Sequence, residues 1–185
     1  MADRLGGIPK REKRKGFLTL EEVKQLAATP CQYDVLKRAA LFSCLTGLRI
    51  SDILKLRWEE VERASDGGWW MRICTEKTET EATLPISDEA LELCGEVQGE
   101  GVVFTGLRRC MIQHPLHAWI KVAGIRKHIT FHCFRHTFAT LQIALGTDIY
   151  TVSKMLTHKN VKTTQIYADL VNSKKRESAN RISLK

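Results

Sequence analysis

The apolar periodicity of this chain changes once and then changes back, and that switch limits the folds open to it. From Phe17 to Val61 apolar residues recur at helical spacing. Between Gly68 and Ser87 they alternate, in "GWWMRICT" and "EATLPIS", joined by the polar "EKTET". Beyond Asp88 the helical spacing returns and, apart from "GVVFT", holds to about Val171. Alternation over two short runs around a polar connector predicts a β-hairpin, and spacing of three and four predicts amphipathic helices. The expected fold class is therefore mainly α with a small antiparallel β-sheet (α+β).

Local signals set the expected boundaries. Thr19 followed by Glu22 is a capping box at the start of a helix in "FLTLEEVKQLA". "DVLKRAALFSCLTG" carries Leu36, Ala40, Leu41 and Leu45 on one face and stops at Gly47. "RISDILKLRWEEV" reads as a third helix with Ile50, Ile53, Leu54 and Trp58 inward, and "DEALELCGEV" as a short fourth. "GVVFT" reads as one more strand. Pro115 marks a break or a helix start within "RRCMIQHPLHAWIKVAG". "TFHCFRHTFATLQIALG" runs to a stop at Gly146, "DIYTVSKMLTH" follows, and Asn160 is placed to cap "NVKTTQIYADLV".

With 185 residues the chain is long enough for one domain with a real core. Residues 1–16 read as a basic linker or arm, with Lys10, Arg11, Lys13, Arg14 and Lys15 as phosphate-tracking candidates. Residues 17–171 read as the domain and 172–185 as a polar tail. Lys and Arg outnumber Asp and Glu by 29 to 21, a formal net charge of +8 that favours a polyanionic partner. Six cysteines without a C-x-x-C pair read as buried, reduced thiols, which points to the cytoplasm. No signal peptide and no apolar run of membrane-spanning length is visible.

Four polar features stand out. Arg49 follows a helix-stop glycine in "TGLRISD"; Lys77 sits at the hairpin tip; His132 and Arg135 share a helix face in "FHCFRHTFAT", with His136 next; His158 precedes Tyr167 by nine residues. Each alone has an ordinary explanation: a surface ion pair between Arg49 and Asp52, a solvated turn lysine, helix-surface or core histidines, a half-buried tyrosine. As a cluster, the histidines and arginine would meet a metal, a carboxylate or a phosphate. A metal site built on His132, Cys133 and His136 lacks a convincing further ligand and a nearby acidic base.

Together and in this order, "TGLRISD", "HCFRHTFAT" and "LTHKNVKTTQIY" resemble the catalytic domain of the tyrosine recombinases, the phage-type integrases, over Phe17 to about Val171. The resemblance implies a DNA strand transferase working through a 3′-phosphotyrosyl intermediate, for integration or excision of a mobile element. It implies Arg49, Lys77, His132, Arg135, His158 and Tyr167 as the catalytic set, Tyr167 being the nucleophile. Two arginine forks would stabilise the charge on the non-bridging oxygens, His132 would take the tyrosine proton, and Lys77 would protonate the leaving 5′-oxygen. Asp52 and His136 would support from behind. No cofactor and no metal are expected. The implied partners are a double-stranded recombination site, a homo-tetramer formed on DNA from free monomers, and an N-terminal DNA-binding domain absent from this chain. No membrane partner is expected. A non-catalytic DNA-binding module on the same scaffold and a type IB topoisomerase are the alternatives. One departure stands in the third motif: Thr157 occupies a position where the family has glycine, so the helix before His158 is expected to end differently.

Overall fold

The structure, a computed structural model, describes residues 16–75 and 80–170. The basic stretch from Lys10 to Lys15, Lys77 at the hairpin tip and residues 172–185 lie outside them.

Eight helices and one sheet follow in chain order among the described residues: α1 (Leu20–Ala28), α2 (Asp34–Thr46), α3 (Ile50–Lys55), β1 (Val61–Arg63), β2 (Trp69–Thr75), β3 (Thr80–Ile86), α4 (Asp88–Cys94), α5 (His114–Val122), α6 (Phe131–Leu145), α7 (Ile149–Met155) and α8 (Lys162–Leu170). The capping box opens α1, with the Thr19 N–H donating to the Glu22 carboxylate at 2.7 Å and the Glu22 N–H to the Thr19 hydroxyl at 3.2 Å. Pro115 sits in the first turn of α5, where its missing N–H leaves nothing unmade. Asn160 Oδ1 accepts from the Lys162 N–H at 2.9 Å at the start of α8.

The sheet is antiparallel in the order β1-β2-β3, with Trp69 opposite Ile86 and Thr75 opposite Thr80. Along β2 the pleat buries Met71, Ile73 and Thr75 and exposes Arg72 and Cys74. The expectation of buried thiols is corrected for two of the six. Cys74 faces outward and Cys110 is exposed too, whereas Cys44, Cys94 and Cys133 are buried.

Two other expectations are corrected by one set of long-range bonds. The third helix ends at Lys55 instead of continuing through Trp58. The Val103 N–H donates to the Leu56 carbonyl and the Trp58 N–H to the Gly101 carbonyl, each at 2.9 Å. These bonds pull the chain out of the helix into a 3-10 turn at Trp58–Glu60 and then into β1, a strand that the sequence pattern did not signal. The same pairing uses up "GVVFT", which forms only an isolated bridge between Arg57 and Val102 instead of a strand.

Helix α2 is buried along most of its length, and α6 packs against it. The first half of α6 gives Phe131 and Phe134 to the main core. Its second half joins α7 and α8 in a smaller one, built from Phe138, Ala139, Ile143, Val152, Leu156 and Tyr167. The polar side chains of α6 therefore emerge where the two cores meet.

Candidate active site

Arg135 is the side chain around which the site is built. It is only 2% exposed, and its guanidinium donates from Nη1 to the Gly47 carbonyl at 2.7 Å and from Nη2 to the Leu156 carbonyl. Those carbonyls lie at the C-terminal ends of α2 and α7, where a cation is favoured by the helix dipole. Gly47 has φ +74°, the left-handed conformation that closes α2 and turns its carbonyl toward Arg135. Burial, with Arg49 nearby, pulls the Arg135 pKa down to about 10, so the side chain stays charged at neutral pH.

Arg49 comes two residues after Gly47, with extended backbone at the N-cap of α3. Its Nη1 lies 4.0 Å from Asp52 Oδ2 across one turn, with the arginine side chain 15% and the aspartate side chain 2% exposed. Arg49 Nη1 is buried and makes no hydrogen bond among the described residues. A buried cationic donor left unmade costs free energy, and an incoming anionic oxygen would relieve that cost.

His158 is placed by a Schellman turn at the end of α7. The Thr157 N–H donates to the Lys154 carbonyl at 2.9 Å and the His158 N–H to the Ser153 carbonyl at 3.0 Å. Thr157 itself takes the left-handed conformation, at φ +53°. The expectation that threonine would make the helix end differently is thus overturned. The turn keeps the geometry that glycine would give, because its two backbone bonds and the burial of Leu156 outweigh the strain of a β-branched residue there. The His158 ring then meets the buried Thr164 hydroxyl on α8, Nδ1 to Oγ1 at 2.8 Å.

Tyr167 projects from α8 into the smaller core and is 2% exposed. Its hydroxyl lies 2.7 Å from Nδ1 of His136, itself buried. His132, one turn back on α6, stands edge-on to His136 with ring centroids 4.5 Å apart. Burial raises the Tyr167 pKa above the ordinary tyrosine value, and the charges of Arg135 and Arg49 oppose that rise.

A cavity of about 350 Å³ gathers these groups: Arg49, His132, Arg135, His136, His158 and Tyr167 all line it. Five of the six catalytic candidates read from the sequence thus converge, and the sixth, Lys77, lies outside the described residues. The pairing of histidine with tyrosine differs from the sequence reading. His132 was expected beside Tyr167, but His136, expected to support from behind, is the ring bonded to its hydroxyl. Sequence reasoning missed Thr164 as the partner of His158 and the two carbonyls that hold Arg135. A carbonyl leaves no residue-type signal, although Gly47 before Arg49 was the clue to one of them. Among the described residues no group of three or more His, Cys, Asp or Glu side chains is arranged to hold a metal ion.

The pattern of the phage integrase family matches residues 16–174, most of the chain. The chain belongs to the phage integrase family. Among family relatives, it is 32% identical over 155 residues to the tyrosine recombinase XerD of Lacticaseibacillus casei, a match covering 74% of this chain and 52% of that protein. It is 31% identical over 169 residues to the tyrosine recombinase XerA of Saccharolobus solfataricus, covering 89% of this chain and 56% of that one. The chain therefore spans little more than half the length of these relatives. In fold it resembles a crystal structure of a XerA recombinase, with a TM-score of 0.72 at 24% identity over 91% of this chain and 66% of that one. It also resembles the catalytic domain of the bacteriophage HP1 integrase, with a TM-score of 0.69 at 22% identity over 91% of this chain and 95% of that one. The helices around a three-stranded antiparallel sheet are those of the tyrosine-recombinase catalytic fold.

Proposed function

We propose that this chain is the catalytic unit of a site-specific DNA recombinase, which breaks and rejoins strands through a covalent bond to Tyr167. The observation that carries the reading is the convergence of two arginines, three histidines and the tyrosine on one cavity, with Arg49 Nη1 buried and unbonded there. A phosphodiester supplies anionic oxygens that these donors can bind. Arg49 and Arg135 present planar donor forks, and donors of this kind aimed at developing charge are worth about 2.7–4 kcal/mol each.

The step runs as an in-line displacement. The Tyr167 oxygen attacks phosphorus, its proton passes to a histidine, and the bond from phosphorus to the 5′-oxygen breaks. The leaving oxygen takes a proton, for which Lys77 is the candidate donor. His158 donates to a non-bridging oxygen, and Asp52 holds Arg49 from one turn away. The ester bond is kept as a phosphotyrosine, so attack by a second 5′-hydroxyl reverses every transfer. The proposed substrate is a double-stranded recombination site in the cytoplasm. The active assembly on it is a tetramer, completed by a DNA-binding domain beyond this chain, with the stretch from Lys10 to Lys15 tracking phosphates.

Covalent trapping tests the reading. The chain, alone and within any longer protein that contains it, is incubated with nicked duplexes drawn from its own genetic surroundings, without divalent metal. An adduct that survives detergent and is absent in Tyr167→Phe is the expected result. Binding of those duplexes with no adduct would instead make the chain a non-catalytic DNA-binding module.

A further inference from the structure

A second cavity, of about 210 Å³, adjoins the first. It shares Arg49, His132 and Arg135 with it but is lined by Arg109 and Ser51 where the first has Tyr167 and His158. Arg109 opens the short 3-10 turn Arg109–Ile112 ahead of α5 and is exposed. Three arginines thus line one small cavity, and none of the described residues lining it is acidic. Charges of one sign gathered in this way raise the free energy of the empty site, and a polyanion with more than one phosphate relieves it.

Resting on the recombinase reading, we infer that Arg109 binds the DNA phosphate next to the scissile one, on the side of the leaving 5′-oxygen. The chemistry fixes the side. In an in-line displacement the leaving oxygen departs away from the attacking one. With Tyr167 lining the first cavity and Arg49 and Arg135 at the junction, the released nucleotide belongs in the second. Its own phosphate then meets Arg109, whose planar fork fits two phosphate oxygens where a lysine would offer a point charge. Ser51, from α3, also lines this cavity. Arg109 in this role holds the leaving strand after cleavage, so the 5′-hydroxyl stays in place for rejoining.

The test replaces single phosphates by neutral methylphosphonates along the nicked duplex that binds best. Binding is measured in a Tyr167→Phe background, and adduct formation and religation with Tyr167 intact. Arg109→Ala should weaken binding roughly tenfold, the scale of one lost charged hydrogen bond. It should also lower the slope of log affinity against log salt by about 0.9, one phosphate's worth. A methylphosphonate at the flanking position should weaken the unmodified protein similarly and the Arg109→Ala protein no further. Religation should fall more than cleavage, and Arg109→Lys should restore binding in part. Because Arg109 is exposed in a turn, the melting temperature should hold.

Additive losses from Arg109→Ala and the flanking methylphosphonate, or an unchanged salt slope, would overturn the inference. The recombinase reading fails separately, when the unmodified protein binds DNA but forms no adduct. In that case the methylphosphonate scan still decides whether Arg109 reads a phosphate. Failure to bind any duplex overturns both.

Discussion

The hydroxyl of Tyr167 and Nδ1 of His136 lie 2.7 Å apart, both residues buried, at the boundary between the smaller core and the cavity that holds Arg49 and Arg135. The tyrosine ring is a core side chain, and its oxygen is the only polar atom it has to satisfy. His136 satisfies it, while His132 stands edge-on to His136 and also lines the cavity. A proton leaving Tyr167 therefore meets His136 before His132.

Replacing His136 by Phe keeps the ring packing and removes the nitrogen. Single-turnover adduct formation should slow by about a hundredfold, the scale of a lost general base, with DNA affinity held. If His136→Phe traps DNA at the unmodified rate while His132→Phe does not, the proton goes to His132 directly.

Tyr167 should ionise above the usual tyrosine value of about 10. Burial favours the neutral ring in the fold, so its contribution to stability is complete below that value. The contribution is lost as pH rises through the higher native pKa. The difference in absorbance near the tyrosinate band between the unmodified protein and Tyr167→Phe reads that transition directly. A midpoint at or below the ordinary value would mean that the arginine charges outweigh burial.

Much of this architecture was legible in the sequence because its signals are local. The change of period around Trp69 and Leu84, the box at Thr19 and Glu22, and the stops at Gly47 and Gly146 act within a few residues, and the structure keeps all of them. What was not legible depends on partners far along the chain. The third helix ends early because Leu56 and Trp58 bond to residues near Val102, and no property of "KLRWEEV" announces that. Arg49, His132, Arg135, His158 and Tyr167 were recognisable as a set by their motifs. That His136 would meet Tyr167 was not, because it depends on how α8 docks against α6, and helix faces alone leave both rings available.

Gly47 serves two functions at once, and a side chain there should break both. Its φ of +74° disfavours any Cβ, and an added one would come within 2.6 Å of Phe138 Cδ1 and 2.8 Å of Leu156 Cδ2. Gly47→Ala should cost about 2–4 kcal/mol, from left-handed strain together with overpacking. Since the Gly47 carbonyl holds Arg135, adduct formation should drop beyond the loss in folded protein. Urea unfolding and trapping on the same preparation separate the two effects.

Thr157 offers the opposite change. It sits at φ +53° in the turn that aims His158, where a β-branched residue pays for a conformation glycine takes freely. Its hydroxyl donates to the carbonyl of Leu156, which Arg135 already engages, so removing it leaves that acceptor bonded. Thr157→Gly should remove about 1–2 kcal/mol of strain. The freer unfolded chain returns about 0.4–1 kcal/mol of that. The net gain of about 0.5–1 kcal/mol would raise the melting temperature by roughly 1–4 °C in a domain of this size. Thr157→Val, which keeps the branch and loses only the hydroxyl, should give no such gain. The turn's bonds from Thr157 and His158 to Lys154 and Ser153 are made by the backbone, so His158 should stay in place and trapping should proceed as before. A fall in melting temperature for Thr157→Gly would mean that the side chain's packing against its buried surroundings outweighs the strain of its backbone.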